Sequence, residues 1–267
     1  MKKIYVTGAS AGIGLATARL LSSKGHEVWG TSRDPARLPS LPRFHGVQLD
    51  LNDPSSIKNS FHTALAEAGY FDVIINNAGS GHFGPAENLP AAEIAAQFQV
   101  LFFGHVELMQ LALVAMKPRD NGLIINVTSL AARLPVPFMA AYNSAKAAMA
   151  SFTMSIQLEL AGSNVRIVDL QPGDICTEFN EDVTKTAVAD PQYEVKMRKT
   201  WKKAERNMKA APKPELVAER ILWLIDDVDP PPRVTVGDTF QTKIAPLIFR
   251  FLPQRLRIWG LKHYYRI

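Results

Sequence analysis

The sequence predicts one doubly wound α/β domain, a parallel sheet with helices on both faces. Three observations carry that expectation. Short apolar runs alternate with longer helical patterns, the rhythm of parallel strands joined by crossover helices. A glycine turn, Thr7-Gly8-Ala9-Ser10-Ala11-Gly12-Ile13-Gly14, stands between the first apolar run and the first helical pattern. The chain has 267 residues, 47% hydrophobic and 21% charged, enough to bury one large core.

The elements follow in order. Residues 3–6 read as the first strand, and the glycine turn opens a helix to about residue 23. Residues 26–31 and 47–49 are the next strands, and a helix begins at Asn52 after Asp50. Residues 71–75 read as a fully buried strand ending in Asn76-Asn77. A long apolar helix covers 91–116, then come a strand over 123–128, a helix over 140–160 and a strand over 165–170, stopped by Pro172-Gly173. The texture changes at 174–213, where polar and basic helical pieces contain no strand. A helix over 215–224 and a short strand over 233–236 follow, the latter after Pro230-Pro231-Pro232. The expectation is one Rossmann-like domain, 1–267, with a substrate-covering insertion at 174–213 and a basic, apolar tail at 239–267.

Composition narrows the function classes. A single cysteine, Cys176, excludes an intrachain disulfide and fits a reducing, cytoplasmic setting. The six histidines (26, 45, 62, 82, 105 and 263) lack metal-ligand spacing, so no metal site is expected. The apolar stretch after Met1-Lys2-Lys3 is too short for a signal-peptide core, and no run of eighteen apolar residues predicts a spanning helix. The net charge is +5, but residues 239–267 hold six basic residues (Lys243, Arg250, Arg255, Arg257, Lys262 and Arg266) and no acid. The first 238 residues are therefore one charge negative, so the basicity belongs to the tail and is no nucleic-acid surface.

The glycine turn after a buried strand aims helix N–H groups outward, where the partial positive charge of the helix suits a pyrophosphate. Gly8, Gly12 and Gly14, with Ser10 and Ile13, let the backbone approach the phosphates. The cofactor choice is read at the end of the second strand. Thr31-Ser32-Arg33 offers a hydroxyl and a guanidinium where an acid would otherwise exclude a 2′-phosphate. Ser32 and Arg33 therefore point to NADP(H), against the alternative of a solvated loop charge. Asp50-Leu51 is placed to meet adenine, or else to serve the start of the next helix. Asn77-Ala78-Gly79 reaches the carboxyl edge of the sheet, where ligands of such sheets collect.

Reducing a carbonyl by hydride transfer requires a proton on its oxygen. Tyrosine can donate one, and an ammonium one helical turn away favours the phenolate and lowers its pKa. Tyr142 and Lys146 are four apart on one predicted helix face, and Ser129 ends a strand thirteen residues before Tyr142. These motifs, with Pro172-Gly173, resemble the short-chain dehydrogenase/reductase family over roughly residues 3–180. The resemblance implies that Ser129 orients the substrate, Tyr142 is the acid/base, and Lys146 bridges the nicotinamide ribose and tunes Tyr142. It also implies that Pro172, Gly173, Ile175 and Thr177 lie against the carboxamide, with Val127-Thr128 beneath the ring. One position departs from it: Leu101 stands where the family carries an asparagine that supports a helix kink and a water-linked proton route. The backbone carbonyl there is expected to hold the water instead, giving a modified route.

Val136, Met139 and Phe179 are expected to touch substrate. Leu134, Phe138, Val183, Tyr193, Met197, Trp201, His82, Phe83 and Phe103 add apolar and aromatic surface. Together they predict a lipophilic carbonyl or alcohol such as a steroid, retinoid or long-chain ketone. That side of the resemblance is to the retinol and 17β-hydroxysteroid dehydrogenases. The tail can lie on an anionic membrane, close the pocket or meet a second subunit, and Pro246 and Pro253 break any long amphipathic helix there. The helices at 91–116 and 140–160 are candidates for pairing in a homodimer or homotetramer. The competing function is a dinucleotide-binding sensor without turnover, motivated by Leu101.

Overall fold

The computed structural model describes residues 1–180, 183–186 and 190–267. Seven parallel strands form one sheet: β1 (Lys3–Val6), β2 (Glu27–Ser32), β3 (Phe44–Gln48), β4 (Val73–Asn76), β6 (Gly122–Val127), β7 (Val165–Pro172) and β9 (Arg233–Val236). Their order is β3-β2-β1-β4-β6-β7-β9, so the chain reverses direction between β1 and β4 and opens a crevice at their carboxyl ends. The doubly wound expectation holds.

Alternation along the central strands sends side chains to both faces. Ile4 and Val6 join Leu21 of α1 (Gly12–Ser23) and Val217, Ile221 and Leu224 of α7 (Glu215–Asp226) on one face. Tyr5 and Ile74 join Ile57 and Phe61 of α2 (Pro54–Ala68), Leu108 and Met109 of α4 (Gly104–Met116), and Met149 of α5 (Ala140–Glu159) on the other. Each such side chain, fully buried, contributes about 1.5–3 kcal/mol. Two helices start on the same device, an aspartate cap followed by proline in the first turn. Asp53 accepts from Ser55 N–H at the start of α2, and Asp190 from Gln192 N–H at the start of α6 (Pro191–Ala210). The second helix thus starts at Pro54, two residues beyond the sequence expectation.

Three departures bear on the site. The long central helix is not one α-helix. A π-helical turn, Gln99–Phe103, separates α3 (Ala91–Phe98) from α4, and it contains Leu101. The whole stretch Ala91–Arg119 is long and apolar enough to span a bilayer, which the count of consecutive apolar residues did not show. Second, 174–213 does contain a strand: β8 (Thr184–Lys185) pairs in parallel with β5 (His82–Phe83). Two-residue strands are too short to leave a period in the sequence. Third, the tail is helical. A π-helical turn at Phe240–Ile244 leads into α8 (Ala245–Phe251) and α9 (Gln254–Tyr265), with Pro246 in the first turn of α8 and Pro253 between the two helices.

Candidate active site

The glycine turn crosses the crevice between β1 and β4 and is braced from the far side. Thr7 Oγ1 accepts the N–H groups of Asn77 (2.8 Å) and Ala78 (2.9 Å), while Asn77 Nδ2 donates to the Thr7 carbonyl at 2.9 Å. Gly8 takes φ +71°, and a Cβ there would lie 2.9 Å from Ala78 Cα. A Cβ on Gly14 would sit 2.0 Å from the Gly8 carbonyl oxygen, so no side chain fits between turn and helix. Ala11 caps α1 without a side-chain bond, and the first turn carries no acid. The leading N–H groups of the helix thus face the crevice with room for an anion.

That crevice is a cleft of about 600 Å³. Gly8, Ser10, Gly12, Ile13, Ser32, Arg33, Asp50, Leu51, Asn77, Ala78 and Gly79 all line it, as the sequence implied; Gly14 stands behind it as backing. Ser32 Oγ accepts from Asp34 N–H at 3.2 Å, and Asp34 caps a short 3-10 turn, Pro35–Arg37. This turn brings Arg37 into the cleft beside Arg33, a second guanidinium the sequence reading passed over. The Asp34-Pro35 pair, a cap and first-turn proline, was the signal for it. Asp50 spends Oδ1 on Asn52, accepting its backbone N–H at 2.9 Å, so it serves the loop as well as the cleft. Phosphate-accepting backbone, paired guanidinium groups and a polar adenosine end fit a dinucleotide.

A second cavity of about 400 Å³ adjoins the first, and Ile13, Asn77, Gly79, Thr177 and Phe179 line both. Ser129, Tyr142 and Lys146 stand on its wall with Val127, Thr128, Pro172, Gly173 and Ile175. Ser129 leaves β6 and caps a 3-10 turn, its Oγ accepting from Ala131 N–H at 3.1 Å. Because the oxygen accepts there, the hydroxyl proton is free to donate. Tyr142 shares this wall with Ser129, and its ring lies 5.6 Å from that of Phe179. Lys146 is buried on the same face of α5, donates from Nζ to the Val127 carbonyl at 2.8 Å, and lies 5.9 Å from the Tyr142 ring centre.

The electrostatics differ from the sequence expectation. Burial pushes the Tyr142 phenol above its ordinary range; the Ser129 hydroxyl opposes this and the Asp174 charge reinforces it. Burial brings Lys146 itself down to about 8, and its amine donates to the Val127 carbonyl. Leu101 is fully buried, with Cδ2 2.8 Å from where a Gly79 Cβ would be. Its backbone carbonyl, expected to hold a water, acts on His105 one turn on, opposing the fall in the pKa of that ring. His105 is buried, sits 3.4 Å from Thr7 Oγ1, and is pushed down to about 3 by burial and by Lys146. The π-helical turn Gln99–Phe103 places a local distortion of the helix at Leu101.

Substrate lining divides sharply. Val136, Met139, Phe179 and Leu134 line the second cavity as expected. Val183, Met197, Trp201, Phe138 and Phe83 do not line it; they pack behind it in one cluster with Val136, Met139, Tyr142 and Phe179, with Phe83 and Trp201 rings 4.9 Å apart. Phe103 is more than half exposed. Their place is taken by the tail: Ile248, Phe249, Leu252, Leu256, Leu261, Tyr264 and Tyr265 complete the wall. Asp174 brings one carboxylate into this apolar enclosure. It is clasped by Gln241, whose Nε2 donates to Oδ2 at 2.6 Å and whose Oε1 accepts from Asp174 N–H at 3.0 Å. Burial raises the Asp174 carboxyl, against its bonds to Gln241 and Asn207. Asn207 also donates to Tyr264 at 2.7 Å, tying α6 to α9. No sequence periodicity could announce contacts between positions 67 and 57 residues apart.

Comparison with known proteins agrees with this geometry. Residues 2–188 match the short chain dehydrogenase family. A 3-ketodihydrosphingosine reductase of Bacteroides thetaiotaomicron is 29% identical over 266 residues, covering 99% of this chain and 98% of that protein. A short-chain dehydrogenase from Streptomyces avermitilis superposes with TM-score 0.81 at 25% identity, over 100% of this chain and 98% of that one. The closed form of a serine dehydrogenase complexed with NADP+ gives TM-score 0.76 at 25% identity, over 91% and 97%.

Proposed function

The chain belongs to the short-chain dehydrogenase family of oxidoreductases, and from that premise we propose that it is an NADP(H)-dependent reductase of a lipophilic ketone. The observation that carries the reading is the position of Ser129, Tyr142 and Lys146 on the wall of an apolar cavity that adjoins a dinucleotide-shaped cleft. Gly8, Ser10, Gly12 and Ile13 receive the pyrophosphate, and Ser32, Arg33 and Arg37 hold the 2′-phosphate. Asn77 to Gly79, Thr128, Pro172, Gly173, Ile175 and Thr177 border the nicotinamide. Bound NADPH supplies the hydride. Ser129 donates its free proton to the carbonyl oxygen and fixes its direction. Tyr142, kept protonated by burial, transfers its phenolic proton to that oxygen as negative charge builds on it. Lys146, charged below about pH 8, stabilises the phenolate left behind.

The substrate reading rests on the tail-lined cavity and on the Bacteroides relative, whose name specifies a ketone on a sphingoid lipid. An alkyl chain suits Ile248, Phe249, Leu252 and Leu256, and Asp174 suits a head group that carries a hydrogen-bond donor. The exposed apolar side chains Phe103 and Val114, with Met154 and Leu158 of α5, support pairing of two chains across these helices. The test is NADPH consumption with purified protein over a panel of long-chain and short ketones. Turnover that rises with chain length supports the reading. NADPH binding with no turnover anywhere in the panel returns the chain to the sensor alternative.

A further inference from the structure

The tail has two faces, and the cavity uses only one. Nine of the twenty exposed large hydrophobic side chains among the described residues lie in its last 28 positions: Phe240, Ile244, Leu247, Ile248, Phe251, Leu256, Ile258, Trp259 and Ile267. Phe251 is 74% exposed, Trp259 66% and Leu247 60%. Apolar surface of that density on a soluble face marks a binding surface. Between these residues stand Lys243, Arg250, Arg255 and Lys262, all exposed, and none of them joins an ion pair among the described residues. Arg257 is occupied differently: it holds the break between α8 and α9, donating from Nε to the Leu252 carbonyl at 2.7 Å.

The two faces meet at a rim. Phe240, Ile248 and Leu256 are each about half exposed and also line the cavity, so its mouth opens among the exposed apolar residues. Charge selects the occupant. A second copy docked symmetrically would set this cationic, acid-free surface against itself. An anionic bilayer would meet it with opposite charge, admit the leucine, isoleucine and phenylalanine side chains to the acyl boundary, and seat Trp259 at the headgroups.

We propose that the outward face of α8 and α9 docks on an anionic lipid bilayer, with the mouth of the substrate cavity facing the lipid. The docking stands on the tail alone, while its use for delivering substrate rests on the lipophilic-ketone reading above. Flotation of the full-length protein, without cofactor or substrate, keeps the two apart. With vesicles of phosphatidylcholine mixed with phosphatidylglycerol the protein floats, and with phosphatidylcholine alone it stays behind. Added salt weakens binding about tenfold or more, because basic residues near the surface carry much of the attraction. The double variant Arg250→Glu, Arg255→Glu, folded by circular dichroism and still reducing a short soluble ketone, no longer floats. Trp259→Phe removes most of the fluorescence blue shift on vesicle binding. Equal recovery with both vesicle types, or no recovery with either, overturns the proposal. So does a concentration-dependent oligomer that the double variant abolishes, since it would assign this face to a second copy.

Discussion

The two adjoining cavities are built by different means. The dinucleotide cleft is made of backbone and short side chains, held by a few polar bonds between neighbouring strands: Thr7 to Asn77 and Ala78, and a glycine whose missing Cβ admits the Gly8 carbonyl. The substrate cavity is made largely of bulky side chains brought from four distant segments, 129–142, 172–179, 204–208 and 240–265, and pinned by Asp174–Gln241 and Asn207–Tyr264. The first has little freedom to vary without losing its ligand. The second is a replaceable wall, and the tail is the part that makes it lipophilic. One fold can therefore keep its redox chemistry while changing what it acts on.

The sharpest way to break that comparison is at the boundary. Tyr142→Phe should lower reductive kcat by about a thousandfold, the scale of a general acid, and leave NADPH affinity unchanged in a fluorescence titration. Retained turnover would remove Tyr142 from the chemistry. On the cleft side, Gly14→Ala should cost about 1–3 kcal/mol of stability, since the new Cβ overlaps the Gly8 carbonyl, and NADPH should no longer raise Tm. An unchanged Tm response would show that the turn is looser than its geometry.

How much of each region was legible follows from the same contrast. The cleft could be read because its determinants are local: the glycine turn and Ser32-Arg33 stand at the ends of the apolar runs that form β1 and β2. Ser129, Tyr142 and Lys146 were readable for a similar reason, one closing a strand and two sharing a helix face. The substrate wall was half legible. Val136, Met139 and Phe179, near Tyr142 or Pro172-Gly173 in sequence, do line the cavity. Phe249, Leu252 and Leu261 reach the cavity only because α8 and α9 fold back across it, which composition cannot encode. Trp201 and Val183 looked like lining and are packing, because burying an aromatic under a loop takes the same residue types. The π-helical turn at Leu101 was likewise hidden, because it depends on one backbone register within an otherwise regular apolar helix.

Smaller effects sharpen the comparison. Arg33→Ala should weaken NADPH by about tenfold to a hundredfold, the loss of a charge-assisted bond, and leave NADH nearly unchanged in matched KM measurements. Equal losses would sink the phosphate assignment. Reductive kcat should hold steady below about pH 8 and fall above it, because Lys146 is charged below that value and neutral above. A rate that rises through the same range would contradict the role given to its charge. Phe249→Ala should raise KM for a long-chain ketone by about threefold to tenfold, the scale of one lost apolar contact, and leave a short ketone alone. A similar rise for both ketones would place Phe249 in the fold and not in the wall.

The central claim is that Tyr142, in an apolar cavity adjoining a dinucleotide cleft, serves the reduction of a ketone. It is tested most directly with NADPH deuterated at the transferring position of the nicotinamide and a long-chain amino ketone, reading the product by mass spectrometry. The account expects one deuterium at the new carbinol carbon with wild-type protein and almost none with Tyr142→Phe. Unlabelled product, or none across the ketone panel while NADPH still binds, would contradict it.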